Sequence, residues 1–209
     1  MSYMPKTISE IILEYINKTT YLPAIQREYV WDTDGIEKLF DSLMGDYPIS
    51  SFLFWKIREE KKNLWTAYKF FSDFDKEDPH NQEANLAGMN QDIYLVLDGQ
   101  QRLTSLYIGL KGSYRYFYYN WKKTRLYLNL FKKPIRNENP EELTYQFAFR
   151  ENDKPNPKDT KPQYWYLVGD ILNFSSATAA RQNIREKLVG VEPELGENAV
   201  ILIEALHSR

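Results

Sequence analysis

The chain has no cysteine in its 209 residues, which excludes disulfides, thiolate metal sites and a cysteine nucleophile. Histidine is nearly missing too. His80 sits in a polar stretch and His207 lies close to Arg209, so a histidine-dependent triad, a zinc-protease site or a histidine nuclease site has no basis here. Any metal is then a hard cation held by carboxylates and substrate phosphates, as Mg2+ usually is. No apolar run approaches the roughly 20 residues of a membrane span, and the N-terminus carries no signal-peptide pattern. The expectation is a cytoplasmic protein with no membrane partner.

Acidic residues are absent from one long stretch. Between Gly99 and Asn137 there are nine basic residues and none that is acidic, so the remainder, with 18 basic and 29 acidic residues, carries a charge of -11. The net charge of -2 hides this asymmetry. Nine aromatic residues are interleaved with those nine bases. Such interleaving suits nucleic acid, where bases stack on rings and phosphates meet cations. It equally suits a sheet with one aromatic face in the core, as the alternation over Arg125–Leu130 requires.

What is present describes a soluble globular domain: 43% hydrophobic and 27% charged residues, with 16 tyrosines. The length supports one domain and part of a second. Thr7 or Ser9 can cap a first helix bearing Ile8, Ile11, Ile12, Tyr15 and Ile16. In Tyr21–Trp31, Pro23 keeps the chain out of a helix. Arg27 there is either a structural guanidinium paired with a carboxylate or one that faces a ligand. Asp32 or Thr33 caps a second amphipathic helix through Ile36, Leu39, Phe40 and Leu43, with Gly45 as its stop and Asp41 and Ser42 read as solvated.

A strand follows at 51–57, and the polar stretch 72–91 reads as a mobile surface insertion. Tyr114–Trp121 and Arg125–Phe131 form a hairpin joined by Lys122-Lys123-Thr124, with Arg115, Lys122, Lys123 and Arg125 as candidate DNA-binding residues. Thr144–Arg150 is another strand, Tyr164–Leu172 is apolar, and Ser175 or Ser176 opens a helix to about Leu188. The last helical pattern stops at Arg209 without a polar close, which predicts that the chain belongs to a longer protein.

The stretch Ile93–Gly112 organises the rest. Five apolar residues, Ile93 to Leu97, have the length of a buried strand. They stop at Asp98-Gly99, and Leu103, Leu106 and Leu110 then recur at helical spacing. Asp98 is the expected N-cap. Gly99, Gln100, Gln101 and Arg102 fall in the turn and first helical turn, where unpaired N–H groups favour an anion. No Walker-type glycine spacing is present, so a plain turn and cap competes with a phosphate site. Two glutamines and an arginine pack poorly but offer donors to a triphosphate.

Leu22-Pro23-Ala24-Ile25-Gln26-Arg27-Glu28-Tyr29-Val30-Trp31, Ile36–Met44, Tyr47-Pro48-Ile49 and Leu97-Asp98-Gly99-Gln100-Gln101-Arg102-Leu103-Thr104 together resemble the N-terminal domain of GmrSD-type modification-dependent restriction proteins. The resemblance covers roughly residues 5 to 175. It implies a ParB/sulfiredoxin-like α+β fold: a small mixed sheet with packed helices in residues 1–174, then a helical segment over 175–209. It also implies a nucleotide site at Asp98, Gly99, Gln100, Gln101, Arg102 and Thr104, with Gln26 and Arg27 as the opposite wall and Asp98, Gln101 and Arg102 as the catalytic group.

The function implied is a nucleotide-binding, NTP-hydrolysing regulatory domain of a bacterial anti-phage restriction system acting on DNA. Its cofactors would be a nucleoside triphosphate and Mg2+, with no metal held by the protein alone. Its partners would be DNA and a nuclease domain elsewhere in the full-length chain or in a partner subunit, since two histidines without a suitable motif make no HNH-like site. The alternative is a ParB-like DNA-binding module without nucleotide turnover.

Overall fold

The computed structural model describes residues 5–25, 27–135 and 143–209. Helices and two mixed sheets give an α+β fold, so the strands expected in one small sheet are divided between two. Among the described residues no helix is long and apolar enough to cross a membrane.

The chain opens with α1 (Ile8–Glu10), closed by a capping box in which Thr7 and Glu10 bond reciprocally, and continues as a wider π-helical turn over Ile11–Tyr15. β1 (Thr20–Pro23) precedes α2 (Thr33–Met44), whose N-cap Asp32 accepts from the Gly35 N–H at 2.9 Å. β2 (Leu53–Ile57), β3 (Ala67–Tyr68), β4 (Asp73–Asp75) and β5 (Ile93–Asp98) follow. In the first sheet the order is β2-β5-β1-β3, with β1 and β5 parallel and the other pairs antiparallel. Its faces carry different cores: Leu22 and Val96 join the main cluster, while Tyr21, Ile93 and Leu95 join a smaller one with Ile57, Ala67, Ala84 and Leu86. Burial on both sides accounts for Ile93, Leu95 and Val96 in the apolar run, whereas Leu97, expected in the same buried strand, is 47% exposed.

α3 (Gln100–Lys111) is buried on most of its circumference through Leu103, Thr104, Ser105, Leu106, Ile108, Gly109 and Leu110. It leads into β6 (Ser113–Tyr118) and β7 (Asn120–Asn129). β8 (Phe147–Arg150) and β9 (Trp165–Leu167) both pair with the second half of β7, and β4 runs parallel to β6. A 3-10 turn over Val168–Asn173, then α4 (Ala177–Lys187, capped by Ser176) and α5 (Pro193–Ser208), complete the fold. Ala180, Ile184, Leu202 and Ile203 of these helices share the main core with Leu130 and Val168.

Three local expectations are overturned. The stretch 72–91 is anchored, because Phe74, Ala84 and Leu86 are buried and β4 pairs with β6. Asp41 is not merely solvated; it accepts from the Tyr145 N–H at 2.7 Å and helps hold α2 against the segment leading into β8. The hairpin reverses at Tyr119 rather than at Lys122-Lys123-Thr124, since Tyr118 pairs with Asn120 and Tyr114 with Thr124.

Candidate functional site

The corner after β5 depends on Gly99. Its φ of +85° is a left-handed conformation that suits glycine, and a Cβ there would stand 2.5 Å from the Phe52 ring. Gly99 itself occupies the N-cap position, with no side-chain cap. Asp98 is therefore not the cap. As the last residue of β5 it keeps its carboxylate outside the turn, 71% exposed and 3.5 Å from Arg102 Nη2.

The polar side chains of the first turn face the protein. Gln100 Nε2 donates to the Val96 carbonyl at 2.8 Å. Gln101 holds the preceding loop at two points, donating to the Glu28 carbonyl and accepting from the Val30 N–H, each at 3.0 Å. That loop is also tied by Tyr29, whose hydroxyl lies 2.8 Å from Ser105 Oγ. Arg102 donates to the carbonyls of Ile49 and Ser51 and lies over the Phe52 ring. It thus fixes the turn to the 49–52 segment while staying 19% exposed.

Two openings flank this corner. A narrow crevice of about 10 Å³ is lined by Leu22, Arg27, Tyr29, Phe71, Asn81, Gln100, Gln101 and Thr104. The crevice places Arg27 and Thr104 beside Gln100 and Gln101 of the first turn of α3. Arg27 is exposed, and no ion pair or hydrogen bond joins it to another described residue. Gln26 lies outside the described residues. The crevice is smaller than one phosphate.

The second opening is an open groove of about 710 Å³, lined by Val30, Trp31, Asp32, Gly35, Lys38, Leu39, Ser42, Tyr47, Pro48, Ile49, Ser50 and Arg102. This is the size of a nucleotide-scale site. Among the described residues of the expected site, Arg102 alone lines it. Sequence alone does not mark Lys38, Ser42, Tyr47 and Ser50 as site residues, although Ser42 reads as solvated there and Tyr47 falls in the motif that carries the resemblance. For Lys38 and Ser42 the signal was their place on one stripe of α2 with Gly35, at intervals of three and four residues; Tyr47 and Ser50 lie beyond the helix. Among the described residues no group of three or more acidic or histidine side chains is placed to hold a metal ion.

The candidate DNA-binding residues stand apart from both openings, on the second sheet. Arg115 pairs with Asp75 and Glu77, Lys122 with Glu151 at 3.3 Å and Lys123 with Asp73 at 3.0 Å, while Arg125 is exposed. Three of the four bases thus already have carboxylate partners. Such pairs at the surface are weak, because water screens the charges and holding two long side chains together costs entropy.

A stretch of 110 residues, 53% of the chain, is 30% identical to an uncharacterised protein of Methanocaldococcus jannaschii, of whose length the match spans only 18%. The family model described as the GmrSD restriction endonuclease, N-terminal domain, matches residues 8–194. That span contains both sheets, the Asp98–Arg102 corner and the groove beside it, and the chain accordingly belongs to the family of GmrSD restriction endonuclease N-terminal domains.

Proposed function

We propose that this domain is a nucleotide-responsive switch of a restriction system acting on DNA, and that the nucleoside triphosphate lies in the groove beside Arg102 rather than on the turn itself. The observation that carries the reading is the groove: about 710 Å³, with two cations, Lys38 and Arg102, near two aromatic residues, Trp31 and Tyr47. The cations would neutralise phosphate oxygens and the rings would take the base. Gln100 and Gln101 then act by position, since their amides are committed to Val96, Glu28 and Val30.

In hydrolysis, water attacks the γ-phosphorus, the bond to the bridging oxygen of the β-phosphate breaks, and the products are the diphosphate, inorganic phosphate and a proton. Arg102 would offset the charge developing in that transfer, and the exposed Asp98 beside it would orient the water. Mg2+ would supply charge neutralisation, taking most of its ligands from the phosphates and water.

The test is thermal stabilisation and phosphate release with each nucleoside triphosphate and Mg2+. Ligand at a hundredfold excess over Kd stabilises by about 2.7 kcal/mol, which in a domain of this size is a rise of about 5–10 °C. Lys38→Ala combined with Tyr47→Ala removes two groove residues whose side chains make no hydrogen bond or ion pair with other described residues, and is expected to abolish the rise. An unchanged rise in this variant moves the ligand elsewhere; no rise in the wild type at millimolar nucleotide ends the proposal.

A further inference from the structure

The β6–β7 hairpin leaves the body of the fold as a two-stranded finger. β4 pairs with β6 only over Ser113–Arg115, and β8 pairs with β7 only from Arg125 onward. Between them, Tyr116↔Lys122, Phe117↔Trp121 and Tyr118↔Asn120 pair with each other alone. The finger ends in uncovered rings: Phe117 is 62% exposed, Tyr118 60%, Tyr119 88% and Trp121 38%. They meet edge-on in two pairs, Phe117 with Trp121 and Tyr118 with Tyr119.

Tyr119 is the informative residue. Its φ is +58°, and among the described residues the other non-glycine positions with positive φ are Asn17, Asp46 and Ser50, all small and polar. Asparagine and aspartate tolerate that region, whereas a bulky ring there is a genuine outlier. Neither burial nor turn chemistry explains a tyrosine at this position. A bulky ring kept at an exposed tip in spite of that backbone cost is the kind of outlier that gathers at functional positions.

The charge around the rings selects a partner. Arg115 lies over the Trp121 ring at 4.3 Å and Lys122 over the Tyr118 ring at 5.9 Å. The stretch from Gly99 to Asn137 holds no acidic residue. The carboxylates that pair with Arg115, Lys122 and Lys123 come from other segments; Asp73, Glu77 and Glu151 are half exposed or more, while Asp75, which also pairs with Arg115, is 28% exposed. Phosphates can displace such screened partners at little cost.

We infer that this finger is a base-stacking element, and that its ligand is DNA presenting unpaired or unstacked bases, with the rings of Tyr118, Tyr119 and Trp121 against the bases and Arg115, Lys122 and Lys123 against the phosphates. Rings accept any base face, so the element reads the openness of the strand rather than its sequence. The surface is separate from the groove at Arg102 and does not depend on nucleotide binding there.

The experiment uses the whole chain with a 5-bromouracil-substituted single strand and the matching paired duplex, reading affinity by fluorescence anisotropy and contact by photocrosslinking. The wild type should prefer the single strand and crosslink at Tyr118, Tyr119 or Trp121. Tyr118→Ser with Tyr119→Gly should weaken single-strand binding on the order of tenfold, and thermal melting should stay at or above the wild-type value because glycine relieves the φ. Lys122→Ala with Lys123→Ala should flatten the salt dependence. A tip variant that binds as tightly as wild type overturns the inference even if the lysine variant fails, since phosphate contact alone then suffices. A wild type that prefers the paired duplex, or that binds no DNA at low salt, overturns it as well.

Discussion

Replacing Glu37 with glutamine should raise stability at neutral pH and leave it nearly unchanged in acid. Glu37 lies on α2 with its Oε1 accepting from the Phe149 N–H at 2.9 Å. Its pKa is pushed from 4.5 up to about 7, first by desolvation, then against the opposing bond from Phe149, with Asp34 and Asp32 adding repulsion. The folded protein therefore holds a proton across pH 4.5–7 that the unfolded chain has released. Where the native state binds more protons, stability falls as pH rises. The loss begins above the unfolded value of 4.5 and is complete above about 7.

At about 1.4 kcal/mol per pH unit, the shift from 4.5 to about 7 sets a ceiling of about 3.5 kcal/mol on that loss. The side chain is only partly covered, so water screens it and about 1–2 kcal/mol is the working figure. Glutamine carries no charge and can still accept from Phe149. Urea unfolding of both proteins between pH 4.5 and 8 isolates the effect, because every other carboxylate is common to the pair. The difference in favour of the variant should grow from near zero to about 1–2 kcal/mol. A difference that stays flat across this range would refute the assignment of the titration to Glu37.

Other outcomes follow from individual contacts. Gly99→Ala meets both the positive φ and the Phe52 ring, and should cost about 2–4 kcal/mol in chemical denaturation; adding Phe52→Ala should not restore stability, because the backbone penalty remains. Gln101→Ala removes its two bonds to the 28–30 loop and leaves the Tyr29–Ser105 tie, so hydrogen exchange at Val30 should quicken while Leu103, bonded inside α3, stays protected. Asp32→Ala deletes the cap of α2 and should destabilise by about 1 kcal/mol.

The β5–α3 unit was legible because two periodicities meet at a glycine, and both are carried by neighbouring residues. α2 was legible for the same reason, with Asp32 and Gly45 at its ends. The turn at Tyr119 was not: a polar Lys-Lys-Thr sequence mimics a loop, whereas a tyrosine with positive φ breaks the usual chemistry of turns. The anchoring of 72–91 was hidden because Phe74, Ala84 and Leu86 are sparse in polar surroundings. The groove was hidden by distance along the chain, since its walls come from residues 30–50 and from Arg102. Sequence shows the donors of Gln100 and Gln101 but not where they point. Only the fold reveals that those amides are spent on Val96, Glu28 and Val30.

The last two helices bear on how this protein can be cut. Asn198 Nδ2, buried in α5, donates to the Leu130 carbonyl at 2.7 Å, and His207 Nε2 stands 3.2 Å from the Phe174 carbonyl. An expression product trimmed at residue 174 would strip the apolar side chains of α4 and α5 from Leu130 and Val168 and orphan a carbonyl at the end of β7. Such a product would be sticky rather than simply shorter.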